Sequence, residues 1–193
     1  VLMGTSARVG ALSGPGKREV ASAMGALELT GIADFSKRDY LRLSGGEQQL
    51  VLIARALAQD ARVLIMDEPT SSLDFGNQVR VMRLVRALAD KSYTILQATH
   101  NPNHACQFSD RILAMKDGLI LAQGEPREVF NAALVSSLYG VHARVESLCG
   151  GQLHVCIPQP QHEEEMTPYE KSFVPGAFPV VAVEFAAPQY PRF

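Results

Sequence analysis

Leu43-Ser44-Gly45-Gly46-Glu47-Gln48-Gln49 is followed by the apolar run Val63-Leu64-Ile65-Met66, which leads into Asp67-Glu68 twenty-three residues after Ser44. The heptapeptide reads as a Ser-Gly-Gly turn opening a helix. Ser44 fits an N-cap, Glu47 completes a capping box three residues on, and Leu50, Ile53, Ala54 and Leu57 follow at i, i+3, i+4 and i+7. Backbone N–H groups at such a start, together with the positive end of the helix dipole, make an anion site. The two glycines give up roughly 1 kcal/mol each of helix propensity, which makes sense where backbone must approach a phosphate closely. Four apolar residues read as a buried parallel strand, and the acids at its end are what Mg²⁺ and an attacking water need.

Working outward, Lys17 to Leu29 carries good helix formers with an apolar face through Val20, Met24 and Leu27. Pro69 ends the strand, Asp74 can cap a helix with the face Val81, Leu84, Val85 and Leu88, and Tyr93 to Thr99 reads as a second buried strand that delivers His100. Arg111 to Lys116 and Leu119 to Ala122 flank Asp117-Gly118, a two-residue hairpin signal, and short helical patterns run from Pro126 to Tyr139. Helix, strand, helix, strand implies right-handed crossovers in an α/β fold. After Ile157 the composition shifts: seven of the eleven prolines lie between Pro158 and Pro191, beside the acidic cluster Glu163-Glu164-Glu165. That tail reads as a loosely ordered extension in which Val180 to Phe185 alone suggests a strand.

Composition narrows the function classes. The 193 residues are 47% hydrophobic, as a globular core requires, and a net charge of −2 without a long Lys/Arg run argues against a nucleic-acid partner. Cys106, Cys149 and Cys156 form no CxxC pair and leave an odd count, which fits a reducing, cytoplasmic compartment. No apolar stretch is long enough to span a membrane, and no charged-then-apolar leader stands at Val1, so any membrane role is expected through a partner. His100 and His104 stand four apart, but Pro102 between them is expected to interrupt the helix that would put both rings on one metal.

LSGGEQQ, the strand-borne Asp67-Glu68, Ser71-Ser72-Leu73-Asp74 and His100, thirty-three residues past Asp67, together resemble the nucleotide-binding domain of ATP-binding cassette (ABC) proteins. The resemblance runs from about Val1 to Ile157 and implies a P-loop NTPase-like α/β core, incomplete, with a parallel sheet and flanking helices. On that reading residues 1–58 are helical subdomain with the signature, 59–157 the catalytic core, and 158–193 the extension. Ser44, Gly45, Gly46 and Glu47 would close over ATP bound to an opposing subunit. Asp67 would hold Mg²⁺ through a water, Glu68 would be the general base, and His100 would contact the γ-phosphate and align the water. Asp74 would meet the dimer partner from a D-loop whose usual second residue is Ala rather than Ser72.

Several phrases resemble the branch importing iron complexes, haem and vitamin B12: Val1-Leu2-Met3-Gly4, Leu52 to Leu57, Gly124-Glu125-Pro126 and Leu138-Tyr139-Gly140-Val141. Thr99-His100-Asn101-Pro102-Asn103 is similar to molybdate or tungstate importers. This implies a homodimeric, transport-coupled ATPase on the inner face of the cell membrane, working with permease subunits and, through them, a substrate-binding protein. Gly14-Pro15-Gly16-Lys17 imitates a phosphate loop, but GxxxxGK[ST] needs Gly at Ala11 and Ser or Thr at Arg18. The true phosphate loop, the adenine-stacking aromatic and the glutamine loop are therefore expected upstream of Val1. A soluble ABC ATPase of translation or DNA repair, and a non-catalytic fragment, are the alternative readings.

Overall fold

A computed structural model of the chain describes residues 1–8, 14–148, 150, 153–159 and 180–185. Two compact units divide it, Val1–Leu64 with Pro69–Leu88, and Ile65–Glu68 with Ala89–Phe193.

The first unit is helical. Helix α1 (Lys17–Leu29) packs against α2 (Gly45–Leu57), which buries the expected face Leu50, Ile53, Ala54 and Leu57. The buried face of α1 is Ala23, Ala26 and Leu27, while Val20, expected inside, is exposed. Val20 lies on the same face as Ala23 and Leu27 but nearer the helix start, where it lines an open pocket with Val51 and Leu52 of α2. The Ser22 hydroxyl adds a tie to the Ala58 carbonyl at 3.2 Å. Helix α3 (Phe75–Asp90) buries Val81, Val85 and Leu88 as its spacing predicts, and Met82 in addition.

The second unit carries a five-stranded sheet. Strands β1 (Val63–Asp67), β2 (Thr94–Thr99), β3 (Arg111–Lys116), β4 (Leu119–Gly124) and β7 (Val180–Phe185) lie in the order β1-β2-β7-β3-β4. Helix α4 (Pro102–Phe108) follows β2, while α5 (Pro126–Val129) and α6 (Ala132–Tyr139) precede a separate hairpin of β5 (Ala143–Leu148) and β6 (Leu153–Pro158). Ile95, Ile112 and Ala114 of the sheet, with Val135 and Leu138 of α6, are buried.

Three features differ from the sequence expectation. The β2–β7, β7–β3 and β3–β4 pairings are antiparallel, so the sheet is not the purely parallel one expected. The β3–β4 reversal follows from its turn, since Asp117 at φ 51° and Gly118 at φ 77° supply the two left-handed residues of a tight hairpin that pairs Lys116 with Leu119. The strand within the Pro-rich tail does form, but as β7 it sits inside the sheet between β2 and β3 rather than on a loose extension; the rest of that tail, 160–179 and 186–193, lies outside the described residues. Strand β1, expected buried, stands at the sheet edge with Leu64 4% and Ile65 78% exposed. An apolar run encodes the capacity for burial, and which faces are covered depends on the elements around it. No helix among the described residues is long and apolar enough to cross a membrane.

Candidate functional site

Ser44 enters α2 with extended backbone (φ −64°, ψ 160°), and the capping box closes in both directions. The Ser44 N–H and hydroxyl donate to Glu47 Oε2 at 2.8 and 2.9 Å, and the Glu47 N–H donates to Ser44 Oγ at 3.4 Å. The Ser44 N–H and then its hydroxyl hold the Glu47 carboxyl below the usual carboxylate range, with the positive fields of Arg38 and Arg80 adding to the effect. Arg38 Nη1 stands 3.6 Å from Glu47 Oε1. Gln48 donates to the carbonyls of Tyr40 and Leu43, both at 3.2 Å, and so fixes the turn that precedes the signature. Ser44 and Gly45 are exposed and Gly46 is buried.

Asp74 caps α3 as expected. Its Oδ1 accepts from the Asn77 N–H at 2.9 Å and its Oδ2 from Asn77 Nδ2 at 2.7 Å; the first and then the second of these bonds lower the Asp74 pKa. The same Asn77 carboxamide lies against Gly46, where an added Cβ would overlap it. Asn77 thereby joins Asp74 to the signature turn through two charge-assisted bonds and a contact that only glycine permits. Sequence reasoning missed Asn77. The available signal was a side-chain amide three residues after the capping acid, the spacing of a capping box.

In the second unit, Asp67 ends β1 with its side chain exposed. Glu68 follows with φ 42°, and its N–H donates to the Ala98 carbonyl of β2 at 3.0 Å. A left-handed backbone costs a non-glycine residue roughly 1–2 kcal/mol; such outliers gather where a side chain must be aimed. Here it aims the carboxylate at His100, with Glu68 Oε1 and His100 Nδ1 2.6 Å apart. A carboxylate only accepts, so the contact suits the tautomer with the proton on Nδ1, in which Nε2 is an acceptor. The pair is open to solvent, with the His100 side chain 52% and that of Glu68 39% exposed.

Beyond His100 the chain turns into α4. Asn101 caps that helix by accepting from the Asn103 and His104 N–H groups at 3.0 and 3.2 Å, and Pro102 occupies its first turn. Pro102 therefore opens a helix instead of interrupting one, because the first helical N–H has no partner to lose. His104 is buried edge-on to Phe108, ring centroids 6.1 Å apart, and burial, followed by the charge of His100, lowers its pKa. Among the described residues no group of three or more His, Cys, Asp or Glu could hold a metal. Asp67 offers a hard oxygen at the end of β1, a donor that fits an Mg²⁺ whose other ligands are waters and phosphate oxygens.

Residues 7–71 match the family model for ABC transporters. Over 139 residues the chain is 42% identical to an uncharacterized ABC transporter ATP-binding protein of Haemophilus influenzae, covering 72% of this chain and 53% of that protein. It is 34% identical over 163 residues to the hemin import ATP-binding protein HmuV of Agrobacterium fabrum, covering 80% and 63%. The chain spans about half the length of the curated relatives it matches. Among solved structures, a metal-chelate-type ABC transporter in an inward-facing conformation superposes with a TM-score of 0.75 at 27% identity, over 86% of this chain and 66% of that one. The protein cbiO1 of Clostridium perfringens, part of the ABC transporter complex cbiONQ, gives 0.59 at 29% identity over 71% and 56%. Motifs, fold and relatives agree on one conclusion, that this chain has an incomplete α/β core like that of P-loop ABC ATPase domains.

Proposed function

We propose that the chain is the hydrolytic and signature-bearing part of an ABC importer ATPase that drives uptake of a metal complex or oxyanion, of the siderophore, haem, cobalamin or molybdate kind. The observation that carries this reading is the 2.6 Å contact between Glu68 and His100, made from a strained Glu68 backbone. A carboxylate fixed in this way polarises an attacking water, and a histidine fixed beside it presents a second polar group to the γ-phosphate. Asp67 holds Mg²⁺, which neutralises phosphate charge. Ser44, the N–H groups of Gly45 and Gly46, and Glu47 form the half-site that closes on ATP held by the phosphate loop of a second subunit, with Asp74 beside that interface. Permease subunits receive the resulting motion, and a substrate-binding protein delivers cargo to them. Haem and iron-chelate import are the activities named for several relatives, which supports this cargo class.

The test is Glu68→Gln in a chain that carries a phosphate loop ahead of Val1. Gln keeps the size and a carbonyl acceptor but loses the base. Turnover is expected to fall by about 10²–10⁴ while ATP binding and ATP-driven dimerisation persist. A Gln variant that hydrolyses ATP at the wild-type rate removes Glu68 from the reaction.

A further inference from the structure

Tyr139 closes α6 thirty-nine residues beyond His100, and its hydroxyl donates to the His100 carbonyl at 3.1 Å. That carbonyl lies between elements, since β2 ends at Thr99 and the first bond of α4 is the Ala105 N–H to the Asn101 carbonyl. A donor from outside therefore answers a need the local backbone leaves open. The phenol is delivered from a firm base. Val135 and Leu138 hold α6 in the core, the left-handed Gly140 (φ 68°) stops the helix directly after Tyr139, and a ring with two torsions reaches the carbonyl with little freedom to lose. Burial raises the Tyr139 pKa to about 12, so the hydroxyl keeps its proton and remains a donor.

The other flank of the same turn is held independently. Asn103 donates through Nδ2 to the Cys156 carbonyl at 3.3 Å, and the Cys156 N–H of β6 donates to Asn103 Oδ1 at 2.7 Å. Glu68 is fixed from its own side by Ala98. Both partners of the 2.6 Å contact thus sit on anchored backbone, and the anchors for His100 come from segments well downstream in the sequence. An oriented imidazole depends on such outer contacts as much as on its direct partner.

We propose that Tyr139 is a positioning residue for His100: its hydroxyl, acting through the His100 carbonyl, places the ring against Glu68 and so leaves Nε2 free for the ligand. The proposal rests on the reading of Glu68 and His100 given above. It assigns a task to the Leu138-Tyr139-Gly140-Val141 phrase, which the chemistry of the site had left unused.

The test is long-range proton–nitrogen NMR of the histidine rings in the full chain at about pH 9, where an ordinary imidazole is neutral. Wild-type His100 is expected mainly as the Nδ1–H tautomer, and Glu68→Ala should turn it to the Nε2–H form. Tyr139→Phe should lower the Nδ1–H to Nε2–H ratio about threefold or more, the equivalent of one ordinary hydrogen bond, with His142 and His154 unchanged. Asn103→Ala, which frees the turn from β6 and leaves α6 intact, should shift His100 in the same direction and keeps the test open if Tyr139→Phe does not fold. A wild-type His100 already in the Nε2–H form overturns the Glu68 pairing and the role of Tyr139 with it. An Nδ1–H form that survives Tyr139→Phe, whatever Asn103→Ala does, overturns the role of Tyr139 alone.

Discussion

Glu68 reaches His100 from a backbone that suits glycine better than glutamate: φ at Glu68 is 42°, and the side chain it launches ends 2.6 Å from Nδ1 of His100. The cost of that backbone and the placement of the carboxylate are two sides of one feature. It follows that Glu68→Gly and Glu68→Ala, which both remove the carboxylate, should differ in stability. Glycine relieves the left-handed strain and alanine retains it, so the Gly variant should be the more stable of the two by about 1 kcal/mol. Denaturant melts of the pair read this difference directly, and equal midpoints would show that the backbone relaxes when the carboxylate leaves.

His100→Ala removes the ring but leaves Glu68 in place. In a chain with a phosphate loop ahead of Val1, kcat is expected to fall by about 10²-fold or more, with a much smaller change in KM for ATP. Steady-state ATPase kinetics decide this. A raised KM with unchanged kcat would make His100 a binding group only.

Gly46→Ala sets a methyl group where the Asn77 carboxamide lies. Asn77 must then swing its carboxamide away and release the 2.7 Å bond from Nδ2 to Asp74, while the 2.9 Å bond from its backbone N–H remains. The overlap costs about 1–3 kcal/mol, partly offset by the better helix propensity of alanine. Adding Asn77→Ala removes the clash, so the double variant should lose less than the sum of the singles. Thermal melts of the four proteins give the coupling, and simple additivity would place Asn77 away from Gly46 in solution.

The buried His104 gives stability a pH dependence of known sign. Its folded-state pKa lies below the ordinary histidine value, so over that interval the unfolded chain binds the proton that the folded chain refuses. Stability should therefore fall as pH drops below about 6.5 and level off once pH passes the lowered folded value. Tm measured from pH 8 downward should show the slope in the wild type and lose most of it in His104→Phe, which keeps an aromatic ring beside Phe108 without a titrating group.

Much of the fold was legible because it is locally encoded. Ser44, Glu47 and the i, i+3, i+4 spacing after them specify α2 with its capping box, and Asp117-Gly118 specifies the hairpin and its register as far as Met115 and Ile120, beyond which an irregularity shifts the pairing. His100 stands at the end of β2, as the apolar run before it predicted. What escaped depends on relations that no single segment contains. The left-handed backbone of Glu68 accompanies a bond to Ala98 on another strand, and the requirement for glycine at position 46 comes from Asn77 on another helix. The Val20 and Pro102 expectations failed for a different reason. A periodicity count treats every position on a face alike and every proline as a break, whereas Val20 lines an open pocket near the start of α1 and the first turn of α4 tolerates proline.

Strand β7 carries a further consequence, for the order in which the protein assembles. Ile95 pairs with Phe185 ninety positions further along, and Ile112 pairs with Val183 on the other flank of the same strand. Closing a loop of that length costs on the order of 4 kcal/mol in chain entropy before any pairing repays it. The hairpin of β3 and β4, with its two-residue turn, can form early, but the join between β2 and β3 waits for β7 to arrive. Until then two rows of backbone N–H and C=O groups face an open slot, and in that interval the chain is most exposed to pairing with a second copy of itself.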